Sequence, residues 1–535
     1  MTETTSATRA QTPPRPITLA DLIEAMADVI PDRSAVRMIE RDYTFAEIDE
    51  RSTRLANHLV SIGIEPGDHV AVHSSNRIEW VDAFYGCLKA RAVPININYK
   101  YLHDELAYLY DNADCVATIV GPEYVEAVRR LDLPKLRHVL VLGEEYDAAL
   151  AAASPERLVQ GRSPDDHYVL YTGGTTGSPK GVVWRQADVM PAALNQSRFG
   201  APFDTVEQLA TEAAGNESPL VLLACGPMMH GGSQWILGNA HMAGASVGMF
   251  TEPNFDAQKI LDLVEKASVN SLTFLGDAMG RPVAEAILAE PDRWDLSALV
   301  AVSNGAAPLS EGVREEIRRA LPGRFILDSY GASESGATGA RLDDGSAGAS
   351  GAPRFDVSDQ VEVFDASFKP CPPGVDGLLG RSGPVPLGYY RDPVKSAATF
   401  KEIDGVRWAV PGDMARREED GSVTVLGRGS VCINTGGEKV HPEEVEAVLL
   451  RHDDVFDAVV VGTLHERWGQ QVTALVQRRE GSAITESDVR YHCRALISNY
   501  KVPKTVVFVD KVPRTPVSKV DYRASATLAA ELLRG

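Results

Sequence analysis

His69-Val-Ala-Val-His73, a stretch of helical period carrying Trp80, Phe84 and Leu88, and Ala92-Val-Pro-Ile-Asn96 follow one another directly along the chain. The first run is short, apolar and strand-sized. The second places its large side chains four residues apart, on one helix face, and the third is again a strand. Strand, covering helix and strand make the unit from which parallel sheets are built. Upstream, Thr44 and Glu47 have the spacing of a capping box ahead of a helix with Leu55 and Leu59 on one face. Downstream, Val139–Leu142, Tyr168–Tyr171, Val221–Ala224 and Ser271–Phe274 read as further strands of the same alternation, to about residue 330. The pattern predicts an α/β fold, with sheets of parallel type covered by helices.

Beyond residue 330 the pattern changes. Between Val361 and Val425, short β runs alternate with the turn signals Pro372-Pro-Gly374, Asp404-Gly405, Pro411-Gly412 and Asp420-Gly421, which predicts a β-rich subdomain. Gly427-Arg-Gly-Ser430 then reads as a hinge. After it come a helix at Pro442–Glu446, strands at Ala458–Val461 and Val472–Val476, and a helix near Glu486–Ile497, enough for a small, mobile α+β domain. The expected organisation is a disordered tail over 1–17, a large domain over 18–428 and a small one over 429–535.

Composition narrows the function. The 535 residues carry 53 Lys+Arg against 74 Asp+Glu, a formal charge of −21, with 44% hydrophobic and 24% charged residues. That balance describes a globular chain and disfavours nucleic acid as a principal partner. No apolar run approaches the roughly 18–20 residues of a membrane span. The polar, Thr- and Pro-rich N-terminus lacks the order of a secretory signal. Cys87, Cys115, Cys225, Cys371, Cys432 and Cys493 are scattered without a C-x-x-C, as expected of free thiols in a reducing cytoplasm. His465-Glu466 lacks the second histidine of a zinc motif.

The segment with most chemistry is Tyr171-Thr-Gly-Gly-Thr-Thr-Gly-Ser-Pro-Lys-Gly-Val182, directly after a predicted strand. Its backbone N–H groups, hydroxyls and ammonium can all face an anion, which makes a phosphate cradle. A Gly- and Thr-rich surface turn fits the same residues. The order of Lys180 and its neighbours does not match the G-x-x-x-x-G-K-[ST] pattern.

Seven ordered motifs together resemble the adenylate-forming superfamily, which includes acyl-CoA synthetases, luciferases and peptide-synthetase adenylation domains. The loop resembles that family's phosphate-binding signature. Asn304-Gly-Ala-Ala-Pro-Leu309 is similar to its adenine turn, and Asp328-Ser-Tyr-Gly-Ala-Ser-Glu-Ser335 to the motif whose glutamate holds magnesium. Pro411-Gly-Asp413 resembles the ribose motif, Gly427-Arg428 the hinge, and Gly436-Gly-Glu-Lys-Val440 and Pro513-Arg-Thr-Pro-Val-Ser-Lys519 the small-domain motifs. The resemblance spans about residues 18–523. It implies ATP, Mg²⁺ and coenzyme A as cofactors, a small-molecule carboxylic acid as substrate, and a two-step synthesis of acyl-CoA through acyl-AMP.

The implied roles make physical sense. A carboxylate attacking the α-phosphorus of ATP meets strong repulsion, which cations and fixed donors must neutralise. By resemblance, Thr172, Gly173, Gly174, Thr175, Thr176, Gly177 and Lys180 hold phosphates, Asn304, Gly305, Ala306 and Ala307 hold adenine, and Asp328, Ser329, Tyr330, Gly331, Ala332 and Ser333 line the nucleotide. Glu334 and Thr176 are the implied magnesium ligands, and Asp413 and Arg428 bind ribose. Lys519 bridges carboxylate and α-phosphate from the small domain, and Gly436, Gly437 and Glu438 meet the CoA arm after that domain turns. Read alone, Glu334 is a solvated acid, Asp413 a turn residue and Lys519 a surface lysine. Departures from the family pattern are Gly173, Ser333 and Pro411, which leave the chemistry intact, and Ser430 and Ser518, which bear on domain rotation.

For the acid, the implied pocket comprises Met228, Met229, His230, Gly231, Gly232, Trp235, Gly276, Asp277, Ala278, Met279 and Ser303, an adaptable apolar cavity. His230 matches the family histidine at the pocket mouth, and a core histidine is its other reading. Together with Gly276-Asp-Ala-Met-Gly-Arg-Pro282, these residues look like the actinobacterial synthetases of steroid side-chain and long-chain acids. Two other readings are delivery of acyl-AMP to a carrier protein and a non-catalytic acyl-AMP or ATP sensor. Gly331-Ala-Ser-Glu-Ser335 lacks the closing glycine of a hydrolase elbow. Ser498 and Lys501, at S-x-x-K spacing, are read as coincidental. Homodimers are common in this family.

Overall fold

The strand His69–His73 is buried along its whole length. It lies inside a four-stranded parallel sheet, in the order Val93–Asn96, His69–His73, Cys115–Val120, His138–Val141. A strand covered on both faces has no reason to alternate polar and apolar residues, which is why it reads as an unbroken run. The helix Ile78–Lys89 follows, with Trp80, Phe84 and Leu88 buried. Each such side chain contributes about 1.5–3 kcal/mol by leaving water. The helix Phe45–Ser61 begins with the expected capping box, Glu47 N donating to Thr44 Oγ1 at 3.2 Å and Thr44 N to Glu47 Oε2 at 2.8 Å. The computed structural model describes residues 17–158, 161–172, 178–194, 203, 205–305, 309, 311–343, 353–428, 433–440, 442–513 and 521–534.

A second sheet carries Ser34–Arg37, Ser246–Gly248, Val221–Ala224, Ser271–Phe274, Ala301–Asn304 and Phe325–Ala332 as parallel neighbours. At Gly336–Leu342 the chain turns back antiparallel. From there the sheet runs on through Arg354–Val357, Val423–Arg428, Asp413–Arg417 and Asp376–Arg381, the β-rich region expected from its turn signals. The β-rich region thus continues the sheet whose parallel strands end at Phe274, Asn304 and Ala332, and the carboxyl ends of such strands are where open α/β sheets bind ligands.

One strand departs from the sequence reading. His167–Thr172 does not join a parallel sheet; it pairs antiparallel with Lys180–Arg185, which pairs in turn with Gly388–Tyr389. The physical reason is the short connection between Thr172 and Lys180, which suffices for a hairpin but not for a parallel crossover.

The chain after residue 432 builds its own five-stranded sheet from Ile433–Thr435, Glu438–Val440, Val455–His465, Gly469–Arg478 and Thr505–Phe508. The helices Pro442–Leu449 and Glu486–Leu496 share a core with it around Val445, Val460, Ala474 and Cys493, and Ala529 of the helix Tyr522–Leu532 packs with Val459, Val461 and Leu475. Cys87, Cys115, Cys225, Cys371 and Cys493 are free and buried, and Cys432 lies outside the described residues. Among those residues no helix is long and apolar enough to cross a membrane.

Candidate active site

The site is built up from the ends of these strands. Asn304 ends the strand Ala301–Asn304, buried, with its Oδ1 accepting from Gly276 N at 2.9 Å and its Nδ2 donating to Asp328 Oδ1 at 3.2 Å. Arg314, on the helix Glu311–Ala320, pairs with Asp328 at 2.6 Å and donates through Nε to Leu309 O at 3.2 Å. One guanidinium thus fixes both the strand residue and the far end of the turn after Asn304. The sequence offered no sign of Arg314, which lies outside every motif.

Tyr330 Oη donates to Asp413 Oδ2 at 2.6 Å, its ring resting against Phe355. Asp413 is buried at the start of its strand, opposite Arg428 in register. Two expectations from separate motifs, Tyr330 and Asp413, meet here.

Glu334 is buried in the bend between Phe325–Ala332 and Gly336–Leu342. Three donors pin three successive residues. Trp184 Nε1 donates to Ser333 O at 2.9 Å, Tyr389 Oη to Glu334 Oε1 at 2.9 Å, and Arg381 Nη1 to Ser335 O at 2.6 Å. Burial lowers the Arg381 pKa to about 10, which leaves it charged at neutral pH. Lys180 Nζ lies 5.1 Å from the centroid of the Tyr389 ring, so one tyrosine touches both the loop lysine and the buried acid. Sequence reasoning missed all three donors. Trp184 follows Lys180 by four residues on one strand, and strand pairing at that spacing was the available signal.

Of the residues expected to line the acid pocket, Met228 and Met229 are buried, and His230 and Trp235 are half-buried. Asn96 ties this wall to the loop strand. Its Nδ2 donates to Met229 O at 2.7 Å and Tyr171 O at 2.8 Å, and its Oδ1 accepts from Tyr171 N at 2.8 Å. Met279 packs with Phe274 and Leu309 in a core cluster, and Ser303 Oγ lies 3.3 Å from Ser271 Oγ, so both are engaged within the wall.

Gly436 and Gly437 form the two-residue turn between Ile433–Thr435 and Glu438–Val440, with φ of +58° and +85°. Positive φ at both positions is the geometry of a tight hairpin, for which glycine is suited. A Cβ on Gly436 would lie 2.7 Å from the Trp468 ring, and one on Gly437 would lie 3.2 Å from Leu275 Cβ, so the turn sits directly against the pocket segment. Beside it, Glu438 Oε1 is 3.0 Å from Lys100 Nζ and 3.6 Å from His230 Nε2. Burial would raise the Glu438 pKa, but His230 and Lys100 outweigh it and hold the carboxyl down at about 2.

Gly173, Gly174, Thr175, Thr176 and Gly177, Ala306 and Ala307, Lys519, and the side chains of Asp277 and Arg428 lie outside the described residues. The loop's ends are described: Thr172 and Lys180 are partners in register.

A glycine-bearing hairpin, a buried acid and a buried aspartate held by a tyrosine near the carboxyl ends of one sheet are the furnishings expected of a nucleotide-handling enzyme of the adenylating kind. The chain matches the model of the AMP-binding enzyme family over residues 23–390 and that of the AMP-binding enzyme C-terminal domain over 444–519. It belongs to the AMP-binding enzyme family. It is 41% identical to the 3-oxocholest-4-en-26-oate–CoA ligase of Rhodococcus rhodochrous, covering 95% of each chain. It is likewise 41% identical to the medium/long-chain-fatty-acid–CoA/3-oxocholest-4-en-26-oate–CoA ligase of Mycobacterium tuberculosis, again with 95% of each chain covered. Among solved structures, the o-succinylbenzoate CoA synthetase of Bacillus subtilis matches in fold, with a TM-score of 0.80 at 22% identity over 96% of this chain and 98% of that one.

Proposed function

We propose that this chain is an ATP-dependent acyl-CoA synthetase that first joins a carboxylate to AMP with release of pyrophosphate, then passes the acyl group to the CoA thiol with release of AMP. The observation that carries the reading is the seating of the glycine turn against the segment 275–278, with Gly437 facing Leu275 and Gly436 facing Trp468 and Ala278. A side-chain-free turn at that place suits a thin thiol arm approaching a bound acyl group. The proposed acids are steroid side-chain carboxylates and medium- or long-chain fatty acids, supported by the names of the two relatives and by the apolar wall at Met228 and Met229.

In this reading Lys180 and the loop hydroxyls take the phosphates, Asn304 borders the adenine, and Asp413, held by Tyr330, accepts the ribose hydroxyls. Glu334 offers the hard oxygen that magnesium prefers. Among the described residues no three acids, histidines or cysteines gather as a metal site, so phosphate oxygens would complete the shell. Glu334 and Thr176 would hold the ion, which when bound would neutralise phosphate charge. Lys519 bridges the carboxylate and α-phosphate, and residues 429–535 turn about Gly427–Ser430 between the two steps.

The test is pyrophosphate release with ATP and Mg²⁺ across acetate, benzoate, C8 to C16 acids, cholestenoate and 3-oxo-steroid carboxylates, with and without CoA. The expected result is release that requires the long or bulky acids, with a CoA-dependent thioester by mass spectrometry. Turnover confined to acetate or benzoate would overturn the acid class, and acyl-AMP accumulating unchanged with CoA would replace the thiol acceptor by a carrier protein.

A further inference from the structure

Besides the contacts of the glycine turn with Leu275 and of Glu438 with His230, the large and small parts of the molecule meet at a short segment, Lys100–Glu105, which ends in the first turn of the helix His103–Asn112. At one end Lys100 reaches Glu438, next to the glycine turn. At the other end Glu105 is gripped from the small unit by two side chains. Ser498 Oγ donates to Glu105 Oε2 at 2.7 Å, and Lys501 Nζ donates to Glu105 Oε1. The exposure of the Lys501 and Glu105 side chains is only 4% and 9%, and Ser498 is fully buried. The ammonium also lies 5.0 Å from the ring centroid of Tyr101 in the same segment.

This arrangement accounts for the S-x-x-K spacing that hydrolase chemistry left unused. Lys501 N donates to Ser498 O at 2.9 Å, so a single turn presents hydroxyl and ammonium on the same side. Glu105 is held ready on the large unit by Leu102 N, which donates to its Oε2 at 2.9 Å. Two separated grips on one segment fix an orientation, where one grip would leave rotation about the contact. The desolvation of a buried pair offsets most of its attraction, so the contact can select an orientation and still release.

We infer that Lys100–Glu105 is the docking segment that positions Gly436 and Gly437 against the acyl pocket for thiol transfer, with Ser498 and Lys501 as its grip. This rests on the acyl-CoA synthetase reading given above. Lys100, Glu105, Ser498 and Lys501 are positioning residues, and they should act on the second half-reaction alone.

The experiment compares wild type, Lys501→Met, Lys501→Arg and Ser498→Ala, full length, in three assays. These are dodecanoate-dependent ATP–pyrophosphate exchange, single-turnover thioester formation from supplied dodecanoyl-AMP and CoA, and amide hydrogen exchange of peptides covering 100–112. The expected result for Lys501→Met is at least a tenfold slower thioester step, exchange activity within twofold of wild type, and faster hydrogen exchange over 100–112. Lys501→Arg should recover most of the thioester rate, and Ser498→Ala should lie between. Both half-reactions within twofold of wild type, or both falling together, would overturn the inference. If wild type adenylates no acid, the synthetase reading fails; hydrogen exchange over 100–112 still decides the docking contact, and no change in Lys501→Met there would overturn it.

Discussion

Two buried glutamates show how differently this molecule treats a negative charge. Glu334 is held within the large unit by a neutral phenol, Tyr389, while its backbone neighbours are pinned by Trp184 and Arg381. Glu105 is held across the seam by an ammonium and a hydroxyl from the other unit. A phenol orients a carboxylate and leaves its charge for an incoming cation; an ammonium neutralises that charge on the spot. The first arrangement suits chemistry with polyphosphate, and the second suits a contact that is made and broken. Substitutions on the two sides should therefore separate the two half-reactions.

The largest effects belong to the nucleotide side. Glu334→Gln keeps the shape and the Tyr389 bond but removes the charge. ATP–pyrophosphate exchange should fall about 10²–10³-fold, the usual scale for losing one preorganised electrostatic group. Thioester formation from supplied acyl-AMP should stay within a few-fold of wild type. Lys519→Ala should show the same split, and equal loss of both steps would sink its bridging role.

Tyr389→Phe tests the orientation itself. The ring and its contact with Lys180 remain, and only the hydroxyl bonded to Glu334 is lost. A hydrogen bond to a charged group contributes about 1.5–3 kcal/mol, so exchange should drop roughly 10–100-fold. The Mg²⁺ concentration for half-maximal exchange should rise. A normal Mg²⁺ dependence would mean that Tyr389 supports the fold and not the acid.

The pattern of what could be read beforehand follows the same division. The buried strand His69–His73, the capping box at Thr44 and the β-rich turns were legible because period, capping chemistry and glycine placement are local properties. The meeting of Tyr330 with Asp413 was legible only through ordered motifs, since 83 residues separate them. Trp184, Arg314, Arg381 and Tyr389 stayed hidden because each acts through strand pairing or packing between distant segments, and their side-chain types carry no signature alone. The Glu105 grip was the least legible: Ser498 and Lys501 lie 393 and 396 residues from their partner, and their spacing read as coincidental.

The smallest expected effect comes from the outer end of the seam, at Glu438. Its carboxyl is held down at about 2, below its ordinary value near 4.5, by His230 and Lys100, with Tyr99 also facing it. A depressed carboxylate contributes stability in full above its unfolded value and loses it as the pH falls through the folded one. Lys100 is 39% exposed, so solvent screens much of the attraction. Glu438→Gln should therefore melt only about 1–3 °C below wild type. That gap should close progressively as the pH falls from about 4.5 to 2. A gap that widens in acid would mean that Glu438 is protonated in the docked state and that the seam is held at its Glu105 end alone.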